Sequence, residues 1–90
     1  MSTRVAVIAI VVENGASVDA VNRLLHGSAP YILGRMGIPY RERGISLISV
    51  AIDAPQDTIS ALSGSLGRLP GVSTKTAYSN VVTEVEESPC

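Results

Sequence analysis

Ninety residues, seven of them basic and eight acidic for a net charge of −1, describe one small domain with no room for a second core. A protein that grips nucleic acid carries a basic face, and a single-strand binder adds aromatic platforms; three tyrosines and a balanced charge supply neither, so this domain alone is not expected to bind DNA or RNA. One histidine and one cysteine, Cys90 at the last position, leave no intrachain disulfide and no metal cluster, and a cytoplasmic location is the default expectation.

Hydrophobic residues make up 46% and the mean hydropathy is +0.31. A chain this short buries only about 60–65% of its unfolded surface, so association with copies of itself would be a useful supplement. No membrane segment is expected, because the longest apolar run, Val5 to Val12, falls far short of the ~20 residues a spanning helix needs. Arg4 before that run faintly resembles a signal peptide, but the β-branched content and the lack of an Ala-x-Ala-type cleavage site argue for a strand.

That first strand, Val5 to Val12, organises the rest. Val5, Val7, Ala9 and Val11 share one face, and Ala6, Ile8, Ile10 and Val12 share the other. A strand apolar on both sides must be covered on both sides and belongs at the centre of a sheet. Glu13-Asn14-Gly15-Ala16 reads as a turn using the positive φ that Asn-Gly tolerates. Ser17 suits a helix N-cap and Asp19 the first turn, while Val18, Val21, Leu24 and Leu25 recur at helical spacing. His26 and Gly27 close the helix, with Gly27 in the left-handed residue just past its end.

After Ser28-Ala29-Pro30, Tyr31 to Tyr40 reads as a second strand with Ile32, Met36, Ile38 and Tyr40 on one side. Pro39 cannot donate to a ladder and assigns this strand to an edge. Arg41-Glu42-Arg43-Gly44 forms a hairpin turn into a third strand, Ile45 to Asp53, with Ile48, Val50 and Ile52 on one face. Pro55 suits the first position of a second helix, whose stripe is Ile59, Leu62, Leu66 and Leu69. Leu69-Pro70-Gly71 stops it, and Val72 to about Val82 is a fourth strand. Residues 1–82 are thus one domain, and 83–90 an acidic tail expected to be disordered.

The order β-α-β-β-α-β gives an α+β, ferredoxin-like sandwich with antiparallel sheet order 4-1-3-2 and both helices on one face. The other face, which carries Leu47, then stays open in a monomer. Homo-oligomerisation through it, as dimer or tetramer, is the expectation.

This architecture hosts carriers, enzymes and sensors, so each must be tested at its site. A metallochaperone would place two cysteines in the first strand–helix loop, which has none. An acylphosphatase would need an arginine in that loop and an asparagine on strand three; both are missing. The glycines flanking Arg35 (Gly34-Arg35-Met36-Gly37) match neither a dinucleotide fingerprint nor a phosphate loop. No catalytic set and no cofactor are therefore assigned. His26 reads as a structural residue at a helix end or as a ligand contact. Arg35, Arg41 and Arg43 read as a solvated edge or, with Tyr40, His26 and the exposed backbone of Gly34 and Gly37, as the border of a site for a small anionic effector or an acidic protein surface.

Three blocks carry a resemblance. Gly34-Arg35-Met36-Gly37-Ile38-Pro39-Tyr40-Arg41-Glu42-Arg43-Gly44-Ile45-Ser46, Ala61-Leu62-Ser63-Gly64-Ser65-Leu66-Gly67-Arg68-Leu69-Pro70-Gly71-Val72 and Val21-Asn22-Arg23-Leu24-Leu25-His26 are similar to a small family of iron-only hydrogenase system regulators. The match runs roughly from Arg4 to Ala77. It implies an ACT-like, ferredoxin-type fold similar to the sensing domain of nickel-responsive repressors, and a regulatory, oligomeric role. The nickel sensors hold their metal with several histidines and a cysteine, which this chain lacks. ACT-type domains generally bind small effectors near the first loop and helix at a subunit boundary, which by resemblance points to Glu13, Asn14, Gly15 and Ser17. The readings are a non-enzymatic regulatory module that self-associates and binds a small effector, a structural oligomerisation or adaptor module without a ligand, and an enzyme of the acylphosphatase shape.

Softer ions need convergent imidazole or thiolate ligands. Dialysed protein is therefore expected to retain no stoichiometric nickel or zinc. Metal that survives dialysis and is lost in His26→Ala, as symmetry-related copies of His26 could arrange, would overturn this.

Overall fold

The computed structural model describes residues 2–84, the last three through their backbone alone. Four strands, β1 (Ser2–Val12), β2 (Ile32–Tyr40), β3 (Ile45–Ala54) and β4 (Val72–Glu84), and two helices, α1 (Val18–Gly27) and α2 (Gln56–Gly67), follow in the order β-α-β-β-α-β. The sheet is antiparallel with order β2-β3-β1-β4, the expected 4-1-3-2 read from the other edge. Among the described residues, no helix is long and apolar enough to cross a membrane.

One face of the sheet and two helix stripes make the core. Ala6, Ile8, Ile10 and Val12 of β1 pack beside Val50, Ile52 and Ala54 of β3, under Val21 and Leu25 of α1 and Ile59, Leu62 and Leu66 of α2. Each large aliphatic side chain buried there contributes about 1.5–3 kcal/mol relative to an exposed one. At the β4 edge the contact turns polar. Ser63 Oγ lies 3.1 Å from Thr74 Oγ1, Thr76 Oγ1 donates to Ser63 Oγ at 3.3 Å, and Arg4 stacks on the Tyr78 ring at 4.6 Å.

The opposite face has no helix. Pairing sets Val11 and Ile38 beside Leu47, Met36 beside Ser49 and Tyr40 beside Ile45. Met36 is 63% exposed and Ile38 55%, against 0% for Ile8 and 1% for Ile10 on the covered side. Val7, Leu47 and Tyr40 complete an exposed apolar row.

Several local expectations are corrected. The register of β2 shifts between Ile32 and Gly34, so the bulge at Leu33 turns Ile32 to the helix side, opposite Ile52, away from Met36, Ile38 and Tyr40. Tyr31 precedes the strand, in a 3-10 turn Ala29–Tyr31. Gly27 is the last residue of α1 and lacks a positive φ; Ser28, at φ −106°, caps the helix. Pro55 is the N-cap of α2, one position before the one expected. β4 continues through Thr83 and Glu84, paired with Thr3 and Ser2, two residues beyond Val82. The rest of the expected acidic tail, Val85 to Cys90, lies outside the described residues.

Positive φ occurs elsewhere than Asn14-Gly15. Asn14 is extended at φ −120°, with its Oδ1 accepting from the Ala16 N–H. The left-handed residues are Gly44 (φ +64°), which closes the β2–β3 turn, and Gly71 (φ +68°), which enters β4. A Cβ on Gly44 would meet open space, whereas one on Gly71 would stand 2.6 Å from Asn14 Cβ. Gly44→Ala is therefore expected to cost about 1–2 kcal/mol, the left-handed penalty alone. Gly71→Ala should cost at least ~1 kcal/mol more, because overpacking adds to it. Urea unfolding of both variants measures the difference; equal losses would mean that the loop at Asn14 yields freely.

Candidate functional site

α1 stops short of β2 and leaves a cleft along that edge of the sheet. Arg35 lies opposite Val50 and so points to the helix side of β2, while Met36 points to the open face. Across the cleft, Asn22 and His26 lie one turn apart on α1 and share a side of it. Arg35 Nη2 donates to Asn22 Oδ1 at 3.0 Å. This bridge borders two hollows. One, of about 340 Å³, is lined by Asn22, Leu25, His26, Ala29, Ile32 and Arg35. The other, of about 220 Å³, has a floor of Val12, Val18 and Ile48, with Gly37, Pro39 and Ser46 at its rim. It stays open because Gly37 has no side chain and a Cβ there would meet nothing within 4 Å.

The electrostatics of the cleft favour an anion at one point. Neither hollow is lined by an aspartate or glutamate. A guanidinium has five donor N–H groups in a planar fork, and among the described residues Arg35 makes one hydrogen bond, to Asn22. His26 is placed differently. It sits in the last turn of α1, where the helix dipole presents its negative end, which suits a cation and opposes an anion. Arg35, opposite the middle of the helix and bonded to Asn22, is free of that opposition and is the group of the cleft better placed to meet an anion, with His26 as a secondary neighbour.

The structure thus brings together two of the five residues that the sequence singled out as a border, His26 and Arg35, and adds Asn22. Arg41 and Arg43 stand in a 3-10 turn beyond the far end of β2, where the Gly44 N–H donates to Arg41 O at 3.1 Å. Arg41 lies six positions beyond Arg35, roughly 20 Å of extended chain at ~3.3 Å per residue. The side chains of Arg41 and Arg43 are exposed and make no hydrogen bond or ion pair among the described residues. Tyr40 is on the open face, beside Ile45. Asn22 was missed by the sequence reading, although its four-residue spacing from His26 was available.

The residues of the first loop are occupied with holding the fold. The Glu13 N–H donates to Gly71 O at 2.7 Å, and the side chain of Asn14 caps the 3-10 turn Gly15–Ser17. Ser17 stands at the cap position of α1 but makes no cap bond there; its hydroxyl, buried with the residue 5% exposed, donates to Pro70 O at 2.6 Å. Gly15 contributes backbone to the turn. Among the described residues, no group of three or more His, Cys, Asp or Glu side chains is gathered as a metal site would require. The larger depression between the two helices, about 560 Å³, has both Arg23 and Asp57 on its rim and is electrically mixed.

Comparison with solved structures supports the architecture. The uncharacterized protein TM1266 from Thermotoga maritima superposes with a TM-score of 0.81 at 39% identity, over 84% of this chain and 96% of that one. The apo form of CPII, a nitrogen regulatory PII-like protein from Thiomonas intermedia K12, shares the fold at a TM-score of 0.58 and 13% identity, over 93% of this chain and 98% of that one. The same protein bound to ADP, AMP and bicarbonate gives 0.50 and 13%, over 90% and 96%. A formyltetrahydrofolate deformylase from Pseudomonas putida KT2440 contains the fold in part of its length, at a TM-score of 0.59 and 15% identity, over 80% of this chain and 28% of that one. No curated protein matches the sequence. A family model described as "Iron-only hydrogenase system regulator, putative" matches residues 4–76, and the chain belongs to that TM1266-like family.

Proposed function

We propose that this chain is a non-enzymatic, cytoplasmic regulatory domain that assembles with copies of itself through the open sheet face and responds to a small anion bound at Arg35. Control of an iron-only hydrogenase system is the setting that the family description suggests. The observation that carries the reading is the uncovered row of Val7, Met36, Ile38, Tyr40 and Leu47 on a sheet whose central strand is apolar on both sides. An apolar row of this kind on a small domain marks an interaction surface. The cleft supports the effector half: a guanidinium with donors to spare among the described residues, an asparagine beside it and hollows lined by no Asp or Glu suit an anion with an adjoining apolar body. A structural adaptor without a ligand would account for the face but leave the cleft without a purpose. Arg41 and Arg43, exposed at the hairpin end, suit an acidic surface of a partner protein, and any control of a gene would act through such a partner.

Light scattering is expected to find a dimer or tetramer at micromolar concentration; a monomer would sink the assembly reading. Leu47→Asp should dissociate it, since an unpaired carboxylate buried in an apolar contact costs several kcal/mol. Calorimetric titration with inorganic phosphate, bicarbonate and ADP tests the second half. A charge-assisted contact is worth about 1.5–3 kcal/mol, so Arg35→Ala should weaken whichever anion binds at least tenfold. Equal affinities, with the fold intact by circular dichroism, would return Arg35 to a solvated edge. His26→Ala should have the smaller effect, because the negative end of the α1 dipole beside it opposes an anion.

A further inference from the structure

The cleft is specific about what accompanies the anion. We infer that its ligand is a small carboxylic acid with a branched or aryl apolar body and no amino group, the carboxylate on Arg35 and the body in the hollow beneath Gly37. The inference rests on the effector reading above and names the chemical class.

Three features of the lining lead to it. The first is the planar fork of Arg35, which matches a carboxylate with two parallel N–H donors while a further donor stays on Asn22 Oδ1. The second is the hollow of about 220 Å³ beside that fork. Its floor is Val12, Val18 and Ile48, its rim has Pro39, and its one hydroxyl is that of Ser46. A phosphate or a bicarbonate would leave this apolar floor wet, whereas a short branched chain would cover it and gain about 25 cal/mol for each Å² removed from water. Gly37 opens the hollow, since any side chain at that position on the helix side of β2 would stand in it.

The third feature is what the cleft lacks. The α-ammonium group of an amino acid carries three donors that need acceptors, and desolvating it unpaired is costly. No aspartate or glutamate lines either hollow, so an ammonium there has no carboxylate to pair with. The deaminated acid avoids that cost and keeps both the carboxylate and the body.

The test uses 4-methylpentanoate, with leucine, acetate and inorganic phosphate as the other arms, followed through the amide resonances of Asn22, Gly37, Ser46 and Ile48 in the full chain. The expected result is saturable binding of 4-methylpentanoate at those amides, at least tenfold tighter than either acetate or leucine. Arg35→Gln should weaken it at least tenfold, and Gly37→Val should abolish it while leaving the remaining spectrum folded. Four outcomes overturn the inference. Acetate binding as well as 4-methylpentanoate would remove the apolar body, and leucine binding as well would remove the exclusion of the amino group. Phosphate binding at Arg35 without 4-methylpentanoate would remove the carboxylate class while leaving the anion-effector reading intact. If no anion binds, both readings fall.

Discussion

Two helices cannot cover both faces of a four-stranded sheet, and the rest of this molecule follows from that shortage. β1 is apolar on both sides, so its Ile8 and Ile10 are sealed under α1 and α2 while Val7 and Val11 look out from the other face. Hydrophobic burial is the main favourable term in folding, and a domain of this length has little of it in reserve. A longer connection or a third helix could have closed the face from within. The chain instead turns from β2 to β3 through a three-residue 3-10 turn and Gly44, which leaves the side of Leu47, Ile38 and Met36 without a lid.

The same economy places the cleft. α1 packs through Val21 and Leu25 over the centre of the sheet, where the large side chains are, and leaves the helix-facing side of β2 uncovered. At that side β2 offers Arg35, Gly37 and Pro39 in place of core residues. An arginine there stays exposed, and its bond to Asn22 ties the helix to the edge strand across the gap. The loop that ACT-type precedent favours is stiff by comparison. Glu13, Asn14 and Ser17 direct their hydrogen bonds inward or to the Pro70–Gly71 turn, and Gly71 is pressed so closely on Asn14 that a side chain would not fit.

What the sequence revealed and what it hid divide along physical lines. Element order, sheet order and much of the core were legible because period-2 and period-3.6 patterns report burial directly: the Val50–Ile52 pair and the Ile59–Leu62–Leu66 stripe read correctly, while β1, apolar on both faces, did not reveal which of them the helices cover. Local backbone geometry was harder. A bulge leaves no mark in hydropathy, so Leu33 broke the assumed parity and moved Ile32 to the other side of β2. Two glycines of eight carry positive φ, and Asn-Gly, the stronger turn signal, is not where they are. The candidate site was half legible. Arg35 and His26 stood out by type, but whether Arg41 and Arg43 join them depends on the length of an extended strand, and Asn22 matters only because α1 lies across from β2.

β2 has a second consequence. Arg35 and Met36 are neighbours in sequence and look out from opposite sides of one edge strand, the first toward the cleft and the second toward the surface where another copy would sit. An edge strand is hydrogen-bonded along one side only, so β2, like β4 at the other edge, is held by a single neighbouring strand. Under the proposed function, a shift of it produced by a ligand in the cleft would be carried to the assembly surface by one peptide link. Linkage would then make the effect mutual: the factor by which an occupied cleft changes the affinity between copies would equal the factor by which assembly changes the affinity of the cleft. A single strand, without a hinge or a moving domain, would be enough to join the two proposed equilibria.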